Sequence, residues 1–299
     1  MSRLAIVHET TYRYRRPVTF GPHRLVLRPR EGHDVDVVSM ELAVTPAFTV
    51  RWARDVFGNS VATLELREPA DVLSIRSEVV LERAADADEP HEALCPAPYP
   101  VAYPPLEAPV AAVYLTPSYA DDQDTVRAFL EAIGVPPSGD VAVALPRVVA
   151  AIHERIAYRR REERGTQAPA RTIALGTGSC RDKATLLLEC ARALGVAARF
   201  VSGYLDCPAS EAGRAATHAW AEVYLPDSGW CGLDPTLGEA TSHKHVVVAA
   251  SSHPRGVMPI AGTFTGEPGD YLGLDVKVAI RRLGVSRRRA SSRALPTAR

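Results

Sequence analysis

Apolar and polar residues alternate along much of the first 85 residues, which is the pattern of strands with one buried face. The alternation runs over residues 40–44 and again over 48–52. Between the second of these segments and another at 62–66 stands the pair Gly58-Asn59, which is typical of a hairpin turn. Short strands at this spacing predict an antiparallel β-sandwich as the N-terminal domain.

A proline-rich segment separates this half of the chain from the remainder. Eight prolines lie between residues 90 and 117. Because proline lacks a backbone donor and fixes φ, we predict an extended linker over residues 86–118 that lies on the surface. The predicted organisation is therefore a β domain at 1–85, this linker, a second domain at 119–281 and a tail at 282–299.

The second domain begins with helical spacing and ends with strands. Asp121 or Asp122 can cap a helix that stops at Gly134. A second helix has its apolar stripe within residues 148–156, and strand-like alternation returns from about Arg199. Helices followed by strands, after an all-β domain, indicate an α+β fold for the chain as a whole.

Composition limits the classes of protein to which the chain can belong. Its 299 residues include 35 Lys and Arg against 35 Asp and Glu, and this zero formal charge argues against a protein whose whole surface binds nucleic acid. No apolar run approaches the about 18 residues of a membrane-spanning helix, and the N-terminal run is too short for a secretory signal. We expect a soluble protein of a reducing cytoplasm.

The cysteines support this expectation, since they are odd in number and form no C-x-x-C pair. Neither a disulfide framework nor a zinc site is favoured by such spacing. The five cysteines are Cys95, Cys180, Cys190, Cys207 and Cys231.

The tail from residue 282 carries a local excess of arginine. Arg287-Arg288-Arg289 and Arg293 stand among Ser, Ala and Pro. We predict a solvated, disordered tail on this composition. The alternative is a nucleic-acid-binding arm, whose affinity would fall steeply with salt and disappear when residues 282–299 are removed.

The segment 176–195 carries the most informative candidate chemistry. Two glycines interrupt regular structure, and Ser179 with Asp182 then forms the S-x-x-D pattern of a helix capping box. Cys180 therefore lies in the first turn of a predicted helix, where free backbone N–H groups and the helix dipole stabilise a thiolate. Cys190 lies deeper in the same helix, and we predict that it is a core residue.

A nucleophilic thiolate needs an imidazole partner, and the sequence offers one downstream. His218 lies on a predicted strand at 217–225, and Asp234 lies on the strand that returns after a turn. Because side chains alternate along a strand, the two share a face only if the connecting loop has an odd length, about three or five residues, or contains a bulge. Taken singly, a strand histidine and an aspartate before proline are also common structural features.

Several separate motifs resemble the bacterial transglutaminase-like family, over roughly residues 3 to 281. The core motifs are Gly176-x-Gly-x-Cys180-x-Asp182, Arg199-Phe-Val-Ser-Gly-Tyr204, His218-Ala-Trp-Ala-Glu-Val-Tyr and Gly229-Trp-Cys-Gly-Leu-Asp234-Pro-Thr. The motifs of the family's N-terminal β domain are His8-Glu-Thr-Thr-Tyr12, Arg24-Leu-Val-Leu-Arg-Pro-Arg30 and Asp55-Val-Phe-Gly-Asn59.

This resemblance implies a papain-like core, in which a helix bearing the cysteine packs on an antiparallel sheet bearing histidine and aspartate. It implies that Cys180 is the nucleophile, His218 the general base and Asp234 the residue that orients the imidazole. The implied reaction is acyl transfer through a thioester on a peptide or glutamine carboxamide bond, ending in hydrolysis or in transfer to an amine. The alternative is a catalytically idle scaffold of the same fold that binds a peptide or partner.

Two details of such a site stay open at the level of sequence. Lys183 stands where the family often has an aromatic or small residue; we expect a helix-surface lysine, and the alternative is a change to the acyl-donor groove. The backbone N–H of Cys180 is a natural oxyanion donor at the helix start. The second donor is left open among Tyr158, Gln167 and an aromatic residue.

The sequence also sets expectations for ligands and partners. His243 and His245 are close in sequence but lack Cys or carboxylate company, so we expect them to be structural. We expect no metal, no other cofactor and no membrane association. The expected partner is a protein or peptide substrate, nucleic acid ranks last, and formation of a homo-oligomer is left open.

Overall fold

A computed structural model describes most of the chain. Cys207 and the predicted tail from residue 284 onward lie outside the described part. No helix within that part is long and apolar enough to cross a bilayer. The described residues are 2–84, 94–161, 165–206, 217–267 and 269–283.

Two antiparallel sheets face one another in the N-terminal region, which confirms the predicted β-sandwich. The strands of the first sheet are β1 (Ser2–Phe20), β3 (Val35–Thr45), β6 (Ala70–Arg83), β17 (Phe264–Thr265) and β18 (Tyr271–Leu283). Those of the second sheet are β2 (His23–Leu25), β4 (Phe48–Arg54), β5 (Ser60–Leu66) and β16 (Ile260–Ala261). β4 and β5 pair around Gly58-Asn59, so the predicted hairpin is present.

Apolar side chains from both sheets fill the space between them. Every second residue along much of β6 is buried, which is the alternation expected of a strand with one face in a core. Full burial of a Leu or Ile side chain contributes about 1.5–3 kcal/mol, so this cluster is a main source of the sandwich's stability. Its largest members are Tyr14, Phe20, Leu25, Leu27, Leu64, Leu73 and Ile75.

Strands from the end of the chain complete this sandwich, which corrects the predicted domain boundaries. β18 pairs with β1 along most of its length, from Arg3 opposite Leu283 to Tyr14 opposite Tyr271. β16 and β17 pair with β2 and β1. The predicted second domain at 119–281 therefore gives its last strands to the N-terminal sheets, and the tail predicted from residue 282 begins no earlier than residue 284.

The proline-rich segment is not wholly extended, so the predicted linker is wrong in part. It contains the short strand β7 (Pro98–Tyr99) and the helix α1 (Ala108–Leu115). Pro109 lies in the first turn of α1, where the missing N–H of proline would have had no helical partner.

The second region is a central helix packed between other helices and an antiparallel sheet. The helices are α2 (Gln123–Ala132), α3 (Val141–Arg155), α4 (Pro169–Leu175) and α5 (Cys180–Ala193), with short 3-10 helices at Ala120–Asp122 and Pro254–Val257. The sheet strands are β11 (Ala198–Leu205), β12 (Thr217–Leu225), β13 (Gly229–Asp234), β14 (Glu239–Ala240) and β15 (His245–Ser251), in the order β14-β13-β12-β11-β15. Two short pairings join β8 (Gly139–Asp140) to β7, and β9 (Ala157–Tyr158) to β10 (Thr177–Gly178).

The two helices predicted ahead of the cysteine are present. α2 ends just before Gly134, which has a φ of 71° that glycine adopts without strain. Asp122 precedes α2, but its carboxylate accepts from the Ala170 N–H at 2.9 Å rather than capping its own helix. The apolar stripe predicted within residues 148–156 is buried on α3.

Helix α5 is buried on all sides, which corrects the prediction for Lys183. Only 2% of Lys183 is exposed, and Glu189 and Arg192 on the same helix are buried as an ion pair at 3.0 Å. α2, α3 and α4 cover the face of α5 that points away from the sheet. Positions that would meet solvent on a surface helix are therefore inside the protein, where charged groups must be paired.

The motif at 55–59 joins the sandwich to the helical region. The buried side chain of Asn59 donates to the Ala250 carbonyl at 2.8 Å and accepts from the Ala250 N–H at 2.9 Å. Asp55 in turn accepts from the Asn59 backbone at 2.9 Å and pairs with Arg24 at 3.0 Å. These bonds attach the sandwich to β15, a strand of the sheet that carries the candidate site.

Candidate active site

Cys180 is the first residue of α5, as the capping pattern predicts. The carboxylate of Asp182 accepts from the backbone N–H of Ser179 at 2.8 Å and from its hydroxyl at 2.9 Å. The Cys180 side chain is nearly buried, at 9% exposed. The thiol therefore lies at the positive end of the helix, among backbone N–H groups that have no partner within the helix.

Asp182 also connects this helix start to the segment that precedes α4. Its completely buried carboxylate accepts from the guanidinium of Arg161 at 2.8 Å and from the Gln167 N–H at 2.7 Å. Removing one partner of a buried ion pair lowers the free energy of unfolding strongly, because the other charge is left buried without a partner. This loss is larger than the stability that the intact pair adds relative to an apolar replacement. Asp182 therefore fixes the backbone on both sides of Cys180.

Asp182→Ala should lower the free energy of unfolding by about 3–5 kcal/mol, because it leaves Arg161 and the two N–H donors without their buried acceptor. Urea unfolding of wild type and variant measures the change. The matched control is Asp124→Ala on α2, whose exposed pair with Arg127 at 2.7 Å should contribute no more than about 0.5 kcal/mol. Equal losses in the two variants would contradict this account of Asp182.

The β12–β13 hairpin brings His218 and Asp234 together. Leu225 pairs with Gly229, so the connecting loop has three residues, one of the odd lengths that the prediction requires. Continued along the hairpin, this register places Asp234 beside Trp220 and on the same face as His218. The His218 Nε2 lies 2.6 Å from the Asp234 Oδ2.

Every lone-pair direction of the buried Asp234 carboxylate has a donor. Oδ1 accepts from the backbone N–H groups of Thr236 at 2.8 Å and Leu237 at 3.3 Å. Oδ2 accepts from His218 and from the Nε2 of His245 at 3.1 Å. A carboxylate held by four donors stays ionised and cannot rotate, which fixes the imidazole of His218.

His245 is the site residue that sequence reasoning missed. It was expected to be structural, yet it comes from β15 to share the carboxylate oxygen that His218 uses. The Ser242 N–H donates to its Nδ1 at 3.0 Å, so the proton of this imidazole is on Nε2 and points at Asp234. Its ring packs against Trp220 at 5.0 Å between centroids. Only the pairing of β15 with β11 brings it here, and no local pattern signals that contact.

The same cluster has the composition of a metal site. The ligand atoms of His218, Asp234 and His245 all lie within 4.8 Å of one another, and zinc commonly takes two imidazoles and a carboxylate. The two hydrogen bonds to one oxygen account for the cluster equally well, since each supplies a proton where an ion would sit. The expectation of no metal therefore stays a prediction.

The charges of the cluster favour an imidazolium at His218. Burial lowers the pKa of His218, because it opposes charging of the ring. The charge and hydrogen bonding of the Asp234 carboxylate and of the Cys180 side chain outweigh this effect. Together they raise the pKa of His218 to about 10. Burial likewise opposes ionisation of Asp234, and the two imidazoles reverse that effect and hold its pKa below the usual range. Burial lowers the pKa of Lys183, and the charge of Asp234 opposes this shift.

These shifts predict how stability depends on pH. The folded pKa of His218, about 10, lies above its ordinary 6.5, so the stability from its charge is complete below about pH 6.5 and is lost as pH rises towards 10. The lowered pKa of Asp234 works in the other direction and costs stability only in acid. Urea unfolding between pH 5 and 10, a range of about five units, should show a decline above pH 6.5 that His218→Gln lacks. Parallel curves for the two proteins would refute this coupling.

The structure separates the two named candidates for a second oxyanion donor. The Gln167 amide already donates to the Thr177 carbonyl at 3.1 Å and approaches Asp182 at 3.4 Å. Tyr158 is 44% exposed and lies on β9, opposite Gly178. Burial raises the pKa of Tyr158, and the charge of Cys180 adds to that rise. Cys190, by contrast, is wholly buried in the core as predicted.

Comparison with known proteins identifies a family for each of the two regions. Residues 4–82 match the bacterial transglutaminase-like N-terminal region, and residues 128–235 match the transglutaminase-like superfamily. An uncharacterized protein of Mycobacterium tuberculosis is 29% identical over 296 residues, covering 92% of each chain, and one of Mycobacterium leprae is 26% identical over 301 residues, covering 95% of this chain and all of the other.

The fold is also that of a solved structure, a candidate cysteine protease from Cytophaga hutchinsonii. The two superimpose with a TM-score of 0.72 at 18% identity, over 95% of this chain and 92% of that one. Both regions of the predicted family are therefore present, in the predicted order and with the predicted α+β architecture. The chain belongs to the transglutaminase-like superfamily, with the bacterial N-terminal region of that family ahead of its core.

Proposed function

We propose that the protein is a cysteine-dependent enzyme that transfers acyl groups from peptide or glutamine carboxamide bonds. Cys180 is the nucleophile, His218 exchanges the proton, and Asp234 orients the imidazole. The observation that carries the proposal is the buried 2.6 Å bond between His218 and Asp234, with His218 on a strand that packs against the helix that Cys180 begins. Burying three ionisable groups (the Cys180 thiol, the His218 imidazole and the Asp234 carboxylate) costs stability, and such groups cluster at catalytic sites. This favours an enzyme over a scaffold that only binds a partner.

The first half of the reaction forms a thioester. Because Asp234 holds Nε2 of His218, Nδ1 is the ring nitrogen left to exchange a proton with the thiol. The Cys180 thiolate attacks the carbonyl carbon, and His218 gives its Nδ1 proton to the departing nitrogen as the C–N bond breaks. The backbone N–H of Cys180 and the hydroxyl of Tyr158 stabilise the oxyanion that forms between these steps.

The second half releases the acyl group. The neutral His218 takes a proton from water or from a primary amine, which attacks the thioester carbon as the C–S bond breaks. Water gives hydrolysis and an amine gives transamidation, and access of water to the thioester decides between them. This chemistry needs a reduced thiol, which agrees with our inference that the protein works in a reducing cytoplasm.

Trapping with hydroxylamine tests the proposal. A mixture of peptides of known sequence is incubated with the protein, with and without hydroxylamine, and is analysed by mass spectrometry. A transferase converts a glutamine or a cleaved carbonyl to a hydroxamate, whereas a strict hydrolase gives the free acid alone. The control is Cys180→Ala, and identical peptide mixtures from wild type and variant would favour the idle scaffold.

A further inference from the structure

Three arginines lie beside the nucleophile, and we call Arg159, Arg160 and Arg181 the arginine rim. β9 runs next to β10, with Tyr158 opposite Gly178. The Arg159 N–H continues this pairing, since it donates to the Gly178 carbonyl at 2.8 Å. Arg159 and Arg160 therefore leave the strand pair next to the residues that lead into Cys180, and Arg181 follows Cys180 directly on α5.

The rim carries positive charge that the nearby carboxylate does not neutralise. Arg159 and Arg160 are exposed, and Arg181 directs a guanidinium nitrogen at the Met258 sulfur, 3.3 Å away. None of the three pairs with a carboxylate among the residues that the structure describes. Glu162 and Glu163 follow Arg161 in the chain and lie outside the described residues. Within the described part, the neighbouring acidic residue Asp182 is completely buried and paired with Arg161.

The charge of the rim also reaches Tyr158, the proposed second oxyanion donor. Burial and the charge of Cys180 raise the pKa of Tyr158, and Arg160 opposes that rise. The Tyr158 hydroxyl is thus within electrostatic range of both the nucleophile and the rim. An arginine without a partner at the edge of a site attracts anions and holds carboxylates through paired N–H groups.

We propose that the arginine rim selects acidic substrates, in which Asp or Glu residues lie close to the carbonyl that Cys180 attacks. This inference rests on the proposed function and names the class of its substrate. Because the chain as a whole has no formal net charge, the attraction is a local property of this edge of the site rather than of the whole surface.

Two alkylating reagents of similar size test the rim without a known substrate. Iodoacetate is an anion and iodoacetamide is neutral, and each replaces iodide with the Cys180 sulfur in a thioether. We would measure the ratio of their rates at Cys180 by mass spectrometry at low salt. In the double variant Arg159→Gln/Arg160→Gln, the rate with iodoacetate divided by the rate with iodoacetamide should fall about tenfold. This figure is a Coulomb estimate, in which one unit charge at about 6–7 Å in water changes the rate of an anionic reagent about threefold. About 1 M salt, with a screening length of about 3 Å, should remove the difference.

The control is Arg51→Gln, on an exposed residue of β4 in the sandwich, which should leave the ratio unchanged. If the ratio is the same in wild type and the double variant while Cys180 stays selectively reactive, the proposal for the arginine rim is wrong and the proposed function stands. If Cys180 reacts no faster than the exposed Cys95 with either reagent, the proposed function fails, while the ratio still tests the rim.

Matched peptides give the second arm of the test. Glutamine peptides flanked by Glu or by Lys are compared for kcat/KM with wild type and the double variant. Wild type should have the higher kcat/KM for the Glu-flanked peptide. The ratio of kcat/KM for the Glu-flanked peptide to that for the Lys-flanked peptide should be about tenfold smaller in the double variant. A wild-type preference for the Lys-flanked peptide would overturn the proposal.

Discussion

Cys180→Ala should abolish turnover, with a fall in kcat on the order of 10⁶, because no other group can form the thioester. The substitution removes a single sulfur atom from a side chain that is 9% exposed, so the free energy of unfolding should change by no more than about 1 kcal/mol. Activity and urea unfolding, measured on the same preparation, separate loss of the nucleophile from loss of the fold. A variant that kept its activity would remove Cys180 from the mechanism.

The state of the thiol can be measured without a substrate. An ordinary thiol, with a pKa of about 8.5, reacts slowly with iodoacetamide near pH 6, whereas one paired with an imidazolium stays reactive. We therefore expect fast, selective labelling of Cys180 at pH 6 that is lost in His218→Ala. Cys190 is the internal control, because it is wholly buried and burial raises the pKa of its thiol. Uniform slow labelling of the accessible cysteines would favour the idle scaffold.

Local patterns were enough to predict the elements that carry the nucleophile and its partners. The S-x-x-D pattern depends on contacts three residues apart, and those contacts are present between Ser179 and Asp182. The alternation in β12 and β13 fixed the faces of both strands, so one unknown, the parity of the loop, decided whether His218 and Asp234 could meet. The three-residue loop resolves that unknown in favour of the site.

Long-range packing decided what the sequence could not. The alternation in β18 is compatible with any sheet, and only its pairing with β1 assigns it to the sandwich. Lys183 lies off the apolar stripe of α5, yet three helices cover that face and bury it. His245 depends on the pairing of β15 with β11 in the same way. In each case a partner distant in sequence sets the environment.

Asp234→Asn should lower kcat by about 10⁴, as expected when an imidazole is held in the wrong tautomer. The backbone N–H groups of Thr236 and Leu237 donate to Oδ1, so the carbonyl oxygen of an asparagine must take that position. Its NH₂ group then points at Nε2 of His218. To accept from it, the ring must carry its proton on Nδ1, which can then no longer take a proton from Cys180.

His245 makes this substitution costly for the fold as well. Its Nδ1 accepts from the Ser242 N–H, so its Nε2 keeps a proton that the asparagine NH₂ cannot accept. Two buried donors then face each other, at a cost of about 1–3 kcal/mol in the free energy of unfolding. The matched control is Asp227→Asn, in the exposed loop of the same hairpin, which should change neither quantity.

Nitrogen NMR of the histidine rings distinguishes this account from a merely structural role for Asp234. The variant should move the His218 proton from Nε2 to Nδ1 in the neutral ring, whereas loss of packing alone would leave the tautomer unchanged. An Asp234→Asn enzyme with more than about a tenth of wild-type activity would show that the carboxylate does not set the tautomer. His218 would then have to be oriented by the packing of its ring near Trp220, whose centroid lies 6.1 Å away.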